Sequence, residues 1–301
     1  MKDIFFSIVI PAYNASESIV TTLDCVAAQS YQHFEVIIID DKSADAEQLA
    51  AVVQSERYRH LNINLVLSQE KLNGSGARNK GIELATGDYI SFLDADDEWH
   101  KDKLAESLKL IHQLEGQGKQ RFIIYSQVNI IQDGEFLKVL PLQQVGRNET
   151  VAEYLFGCYG FIQTSTIVLK REYAQEIRFD QKYIRHQDYD FCIRADKLGY
   201  AFFMIDQPLA NYHLVTKFGS KHKGESVKYS FFWLENMKPY LTRRDIHTYK
   251  AYKLPLRYKM DGKSLQASLS FARYFFLTNK DNRTYFLNRV KDKLRARLGG
   301  K

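Results

Sequence analysis

The chain has 301 residues, a formal net charge of +6 at pH 7 and a hydrophobic fraction of 45%, which is ordinary for a globular protein with a sizeable core. No apolar run reaches the roughly 18 residues of a membrane span, and we see no layout of a secretory signal peptide. The three cysteines, Cys25, Cys158 and Cys192, show neither paired nor metal-ligand spacing. These features argue against a membrane-spanning or disulfide-stapled secreted protein, and we expect a cytoplasmic one.

Predicted strands and helices alternate over the first hundred or so residues. Apolar runs predict strands at Phe6–Asn14, Val36–Ser43, Ile63–Leu67 and Tyr89–Leu93, and helical periodicity predicts helices between them, including one from Asn73 to Gly81. This alternation indicates an α/β fold with a parallel sheet and crossover helices. Since ligands of such sheets gather at the carboxyl ends of the strands, we expect Pro11–Asn14, Asp40–Asp41 and Asp94–Asp97 to share one binding edge.

Four acidic residues follow the strand that begins at Tyr89, namely Asp94, Asp96, Asp97 and Glu98. Carboxylates repel one another, so such a cluster favours a hard divalent cation, Mg²⁺ or Mn²⁺, with positions left for substrate phosphates. The alternative is a solvated acidic turn before a helix, where the helix dipole favours Asp and Glu.

Five segments in this order resemble those of inverting family 2 glycosyltransferases of GT-A fold. They are Ser7–Asn14, Val36–Ser43, Gly74–Gly81, Gly87–Asp97 and His186–Asp190. The resemblance covers roughly residues 6 to 215. It implies a mixed nucleotide-binding sheet flanked by helices, a UDP-sugar donor and a carbohydrate or lipid-linked glycan acceptor. It also implies a role in bacterial lipopolysaccharide, capsule or exopolysaccharide synthesis at the inner face of the cell membrane.

The resemblance assigns the donor site to residues at the predicted binding edge. Asp41 would hydrogen-bond the uracil ring, while the backbone near Pro11 and the side chain of Tyr13 would pack around the base. For Asp41 the alternative is a cap of the helix after Ser43. Arg78 is a candidate for contact with the donor diphosphate or sugar, and its alternative is a surface salt bridge.

The same resemblance gives the acidic cluster a divalent metal, Mn²⁺ or Mg²⁺. Asp96 would coordinate it directly, and Asp94 would contact the ribose or the water shell of the ion, with the ion bridging the two donor phosphates. Asp97 is expected to cap a helix predicted at Lys101–Leu114. Relatives commonly carry a metal-binding histidine where this chain has Val215, and we leave open whether His213 or His222 takes its place.

Asp188 matches the general base of the family. Inverting transfer needs one such base near the acceptor hydroxyl, opposite the departing nucleotide. Relatives usually have a glutamate before it, and this chain has Gln187, which removes a negative charge beside the base. Asp190 is expected to be a structural acid at the start of a helix.

The charge is divided unevenly between two predicted domains. Residues 1–216, the predicted catalytic domain, contain 21 Lys plus Arg against 30 Asp plus Glu, a net charge of −9. Residues 217–301, a predicted helical basic extension, contain 21 against 6, a net charge of +15. Within the extension, residues 283–301 predict an amphipathic helix with Phe286, Val290 and Leu294 on one face, suited to an anionic membrane surface.

Three competing interpretations have less support in the sequence. Lys, Arg and aromatic residues can also grip RNA or DNA, but no recognisable nucleic-acid module accompanies the basic extension, so we expect no nucleic-acid partner. A nucleotidyltransferase would need a triphosphate loop that the sequence does not show. A non-catalytic sugar-binding relative would be favoured by loss of the base, yet Asp188 is present.

Overall fold

The computed structural model describes residues 3–214 and 226–298. These residues form two compact units, which we call the sheet unit, residues 3–141 and 162–214, and the helical unit, residues 142–161 and 226–298. The predicted domain boundary after residue 216 lies outside the described residues and stays a prediction. No sequence pattern indicated that residues 142–161 group with the C-terminal helices.

The sheet unit is built on a mixed sheet. Its strands are β1 Phe6–Ala12, β2 Phe34–Asp40, β3 Ile63–Leu67, β4 Tyr89–Phe92, β5 Glu98–Trp99, β6 Phe122–Gln132, β7 Glu135–Leu140, β8 Val168–Lys170 and β9 Ala201–Leu214. They are ordered β3-β2-β1-β4-β8-β6-β9-β5, and β7 pairs with β6. The strands β1 to β4 are parallel, whereas β8 runs antiparallel to both of its neighbours. The predicted α/β class is therefore confirmed.

Helices occupy both units. In chain order they are α1 Ser18–Ala27, α2 Ala46–Val53, α3 Asn73–Leu84, α4 Lys103–Gly116, α5 Val151–Phe156, α6 Arg171–Ile177, α7 Gln187–Lys197, α8 Val227–Met237, α9 Arg243–Thr248, α10 Leu254–Met260, α11 Ser264–Phe275 and α12 Lys280–Leu298. Among these, α5 and α8 to α12 belong to the helical unit. Among the described residues, no helix has both the length and the apolar character needed to cross a bilayer.

The central strands are buried on both faces, as parallel strands covered by helices must be. Ile8–Ile10 and Val36–Ile39 are fully buried. Helix α3 lies directly against β1 because Gly81 has no side chain: a Cβ there would stand 2.3 Å from Cγ1 of Val9. The pairing of Ala12 with Asp40 places the carboxyl ends of β1 and β2 side by side, which confirms the predicted edge.

Aromatic side chains form the core of the helical unit. Phe156 of α5 contacts Trp233 and Tyr249, with ring centroids 5.9 Å and 5.1 Å away. A second aromatic cluster joins α11 and α12 to the π-helical turn Tyr249–Lys253; its members are Tyr252, Phe271, Phe275 and Phe286. Through Phe156, the short helix α5 is held by Trp233 and Tyr249, which are distant from it in sequence.

Candidate active site

A cavity of about 290 Å³ opens at the carboxyl edge of the sheet. Its lining includes the predicted donor and metal residues Pro11, Tyr13, Asp41, Arg78, Asp94 and Asp96. These residues come from three strand ends and from α3, so the fold brings together groups that are up to 85 positions apart. The roles assigned to them stay predictions, but their convergence in one cavity is a property of the structure.

Asp41 and Tyr13 lie beside a lysine that the sequence analysis missed. Oδ1 of Asp41 accepts hydrogen bonds from the backbone N–H groups of Leu72 (2.5 Å) and Asn73 (3.0 Å). Its Oδ2 pairs with Nζ of Lys71 at 2.8 Å. The same ammonium lies 2.9 Å from the ring centroid of Tyr13, whose side chain is 52% exposed. An acceptor carboxylate and an exposed aromatic face are thus fixed next to each other.

The alternative role of Asp41, capping the helix after Ser43, is wrong. It is Asp40 whose Oδ2 accepts from the Ser43 backbone N–H, at 3.0 Å. Asp41 instead ties the end of β2 to the start of α3. That contact spans more than thirty positions, and short-range capping patterns cannot reveal it.

Arg78 connects the acidic cluster to a second acidic segment, Gln187–Asp190, through Gln187. It is only 8% exposed, its Nη2 pairs with Oδ1 of Asp94 at 2.5 Å, and its Nη1 donates to Oε1 of Gln187 at 3.0 Å. Gly74 leaves room for this contact, since a Cβ there would stand 2.9 Å from Oε1 of Gln187. The ion pair of Arg78 is therefore a buried one at the cavity, not the surface salt bridge considered above.

The turn that carries the acidic cluster is held by residues from a distant loop. Oδ2 of Asp97 accepts from Nε2 of Gln163 and from Oγ of Ser165, both at 2.6 Å. Oγ of Ser165 also accepts from the Asp94 backbone N–H at 2.9 Å. Asp97 is buried while Asp96 is exposed. Burial, and then the charges of Asp94 and Asp96, raise the pKa of Asp97 well above its ordinary value.

The expected capping role of Asp97 is also wrong, because α4 begins at Lys103, after Asp102. Lys103 itself is fully buried, and its Nζ donates to the Thr166 carbonyl at 3.0 Å. Burial lowers the pKa of this lysine to about 7. It secures the same 3₁₀ turn, Thr164–Thr166, that presents Ser165 to the acidic cluster.

Asp94 and Asp96 fit a divalent ion that shares its coordination with a phosphate ligand. Mg²⁺ in phosphate-transfer sites is commonly held by one or two carboxylates together with substrate oxygens and water. Among the described residues, no three His, Cys, Asp or Glu side chains are grouped to hold a metal unaided. His213 pairs with Oε1 of Glu98 at 2.9 Å, and His222 lies outside the described residues.

Asp188 lies in the first turn of α7 and is half-buried. Burial raises its pKa to about 6, the positive charge of Arg78 acts to lower it, and Asp94 acts to raise it. Its neighbour in sequence, Gln187, accepts from Arg78. The carboxylate of Asp188 is mostly ionised at neutral pH yet basic enough to accept a proton, which suits a general base.

Asp190 is held differently, in line with the structural role expected of it. Its two oxygens accept from Nε and Nη2 of Arg194 at 2.9 Å and 2.7 Å. Arg194 also donates to the carbonyls of Ile177 and Arg178. This buried ion pair joins α7 to the end of α6.

Tyr212 is a further residue that the sequence analysis did not assign to the site. Burial raises the pKa of its phenol, and so do the four carboxylates around it, those of Asp97, Asp188, Asp94 and Asp96. The phenol is therefore near both acidic segments. The only signal in the sequence was its position next to His213.

Comparison with known proteins fits this geometry. The family described as "Glycosyl transferase family 2" matches residues 7–177. The amylovoran biosynthesis glycosyltransferase AmsB of Erwinia amylovora is 78% identical over 301 residues, the full length of both chains. The chain belongs to glycosyl transferase family 2.

This family 2 glycosyltransferase is also similar to more distant proteins. The putative teichuronic acid biosynthesis glycosyltransferase TuaG of Bacillus subtilis is 30% identical over 228 residues, covering 75% of this chain and 85% of TuaG. Among solved structures, S. aureus TarS 1-349 in complex with UDP-GlcNAc has a TM-score of 0.61 and 16% identity, covering 91% of this chain and 81% of TarS. The mannosyltransferase PcManGT of Pyrobaculum calidifontis, in complex with GDP-Man and Mn²⁺, has a TM-score of 0.59 and 16% identity, covering 98% and 81%. The fold of this chain is thus that of GT-A glycosyltransferases.

Proposed function

We propose that this glycosyltransferase moves a sugar from a UDP-sugar to a hydroxyl of a carbohydrate or lipid-linked glycan acceptor. The transfer inverts the anomeric centre, requires Mn²⁺ or Mg²⁺, and serves the synthesis of a bacterial surface polysaccharide. The observation that carries the proposal is the meeting of an exposed aromatic ring, the Asp41 carboxylate and the acidic pair Asp94 and Asp96 at one cavity. The raised-pKa carboxylate of Asp188 follows Gln187, which accepts from Arg78 of the cavity lining.

The donor base would lie between Tyr13 and Asp41. A carboxylate can accept the imide N–H of uracil, a donor that a base without that N–H does not offer. Lys71 already pairs with Oδ2 of Asp41 and lies over the Tyr13 ring. We infer that Lys71 fixes the carboxylate and the ring before the donor arrives.

The donor diphosphate would lie between Arg78 and the pair Asp94 and Asp96. Those two carboxylates would hold the metal ion, which supplies Lewis-acid stabilisation of the departing nucleoside diphosphate. Arg78 contributes a fixed guanidinium that contacts Asp94 and Gln187. A charge held in place before reaction stabilises a developing negative charge without reorganisation.

Asp188 would take the proton from the acceptor hydroxyl as the new glycosidic bond forms. With a pKa of about 6, the carboxylate is deprotonated above that pH, and activity should fall as the pH drops below it. Gln187 accepts from Arg78 without adding a second negative charge beside the base.

The acceptor is proposed from the relatives. Two relatives are named for amylovoran and teichuronic acid biosynthesis, and an Escherichia coli relative, 26% identical over 63% of this chain, is named as a glucosyltransferase acting on a GlcNAc-diphosphoundecaprenol. These favour a growing polysaccharide or lipid-linked glycan as acceptor, reached from the cytoplasmic face of the membrane. A nucleotidyltransferase is not favoured, because the chain belongs to a glycosyltransferase family.

The proposed membrane contact of residues 283–301 loses one of its predicted apolar residues, Phe286. Phe286 packs against Tyr252, Phe271 and Phe275, so it is not available to a bilayer. Among the side chains of α12 that the structure describes, the exposed large apolar ones are Leu287, Val290 and Leu294. Deleting α12 would also remove Phe286 from the aromatic cluster. Substitutions of its exposed residues are therefore a better test of membrane contact than a truncation.

The direct test is a screen of UDP- and GDP-sugars for metal-dependent hydrolysis or transfer by the full chain. We expect turnover with one or more UDP-sugars, its loss in excess chelator, and its recovery with added Mn²⁺ or Mg²⁺. Asp96→Ala should abolish turnover while leaving the melting temperature nearly unchanged, because Asp96 is exposed. Full activity in chelator would contradict the metal assignment, and turnover of GDP-sugars alone would contradict the base assignment.

A further inference from the structure

Helix α11 in the helical unit is apolar on two opposite faces. Ala267, Phe271 and Phe275, at the spacing of successive helical turns, face the aromatic cluster of the unit. The other face carries Leu265 and Leu269, which are 70% and 60% exposed, and Phe276, directly after the helix, is 76% exposed. Such a stripe of large exposed apolar side chains on a helix is typical of a surface that meets another apolar phase.

The exposed face is almost free of charge, although the helix lies in a strongly basic part of the chain. Arg273 is the one charged residue between Ser264 and Phe275. Residues 217–301 as a whole contain 21 Lys plus Arg against 6 Asp plus Glu. An uncharged apolar strip bordered by cations is the pattern of a helix that lies in a membrane interface.

A cationic groove of about 260 Å³ adjoins the stripe. Leu269 lines it together with Lys250 and Arg273, and its described lining contains no acidic residue. The two cations flank one ring: Nζ of Lys250 and Cζ of Arg273 lie 5.2 Å and 5.6 Å from the centroid of Tyr274. His247 stacks on the same ring at 5.6 Å.

These cations crowd one another. Burial lowers the pKa of His247, and the charges of Lys250 and Arg243 lower it further. A phosphate in the groove would relieve this repulsion, since Lys and Arg bind phosphate oxygens through charge-assisted hydrogen bonds.

We propose that the exposed face of α11 and the adjoining groove form a docking surface for the anionic face of a lipid bilayer. Leu265, Leu269 and Phe276 enter the acyl boundary, and Lys250 and Arg273 bind phospholipid headgroup phosphates. A second copy of the chain fits less well, because it would bring two cationic surfaces together. The inference goes beyond the proposed function, since it depends on neither the donor nor the acceptor.

The test uses the full chain and two kinds of vesicle, phosphatidylcholine alone and phosphatidylcholine with an equal part of phosphatidylglycerol. We expect sedimentation with the anionic vesicles and weakening of binding by added salt. The double variant Leu265→Ser, Leu269→Ser should lower the partition coefficient by at least about tenfold. The double variant Lys250→Gln, Arg273→Gln should lose most of the preference for phosphatidylglycerol.

The comparison variant is Leu287→Ser with Leu294→Ser, which removes two leucines of the proposed α12 membrane contact that are 48% and 52% exposed. It should weaken binding less than the α11 pair does. All variants should keep the melting temperature and the donor hydrolysis rate of the natural protein, so a failed fold or an inactive site is distinguishable from lost docking.

Three results would overturn the proposal. They are no binding of the natural protein to anionic vesicles, undiminished binding by the α11 variant, or a greater loss from the α12 control than from the α11 pair. Light scattering tests the remaining occupant, a second copy of the chain. If the α11 substitutions dissociated a dimer and left vesicle binding unchanged, the surface would be assigned to a second copy instead.

Discussion

The two acidic segments of the sheet unit, Asp94–Asp97 and Gln187–Asp190, divide their carboxylates in the same way. Each has carboxylates that are proposed to act on donor or acceptor: Asp94 and Asp96 in the first segment, which line the cavity, and Asp188 in the second. Each also has a buried carboxylate that is used up by protein donors. The partners, not the residue type or the spacing, separate an acid that acts on a ligand from one that holds the fold.

The two structural carboxylates differ in the charge of their partners. Asp190 is bound by the guanidinium of Arg194, whereas the side chains that donate to Asp97, those of Gln163 and Ser165, are neutral. Removing the charge should therefore be costly at Asp190 and cheap at Asp97. The substitutions below test this, beginning with the largest expected effect.

Asp188→Asn keeps the shape of the side chain but removes the proposed base. Turnover should fall by a factor of about 10² to 10⁴, while UDP affinity measured by calorimetry should remain nearly unchanged. Asp41→Ala should show the opposite pattern, with UDP binding weakened first. Normal turnover by the Asn variant would mean that the base lies elsewhere.

Asp190→Asn should destabilise the fold, because it leaves the partly buried guanidinium of Arg194 without its counter-charge. Breaking such a pair from one side commonly costs about 3 to 5 kcal/mol, which chemical denaturation can measure. The control is the double variant with Arg194→Met, which removes both charges and should cost less than the two single changes combined. A single Asn variant as stable as the natural protein would refute the structural role.

Stability at Asp188 should depend on pH in a specified direction. The pKa in the folded protein is about 6, against an ordinary value of 3.8, so the folded state binds the proton more tightly and loses stability as the pH rises between these values. The loss amounts to at most about 3 kcal/mol above pH 6. Asp188→Asn should therefore be more stable than the natural protein at pH 7, and the difference should vanish near pH 4. A constant difference across this range would contradict the raised pKa.

Asp97→Asn should have the smallest effect. An amide oxygen can accept the same bonds from Gln163 and Ser165, so we expect a loss under about 1 kcal/mol and nearly full turnover. Asp97→Ala strands both donors and should cost about 2 kcal/mol. Thermal unfolding of the two variants measures the contrast, and equal losses would show that the charge of Asp97 matters more than its hydrogen bonds.

Local patterns were sufficient to predict the edge of the sheet where the cavity lies. Strand β3 has the predicted bounds, and the runs that became β1, β2 and β4 carried the buried Val and Ile pattern of parallel strands. Because parallel strands end at the same edge, Asp41 and Asp94 could be placed together without a structure.

The supports of the site could not be predicted in this way. Gln163 and Ser165 reach the acidic cluster from about seventy positions away, and the chain passes through the helical unit before it arrives there. Lys71 had no motif to mark it. Helix α11 was obscured for another reason: apolar residues on both of its faces give no periodic sign of which face is covered.

The grouping of residues 142–161 with the C-terminal helices also has a consequence for synthesis of the protein. The side chains of α5, from Val151 to Phe156, are all buried, and much of what covers them, including Trp233 and Tyr249, lies at least seventy positions later. A ribosome makes about 5 to 20 residues per second, so α5 waits several seconds for its neighbours after it emerges. During that interval its apolar side chains are available to chaperones and to other nascent chains. In a chain that ends before α8, these side chains would stay uncovered permanently.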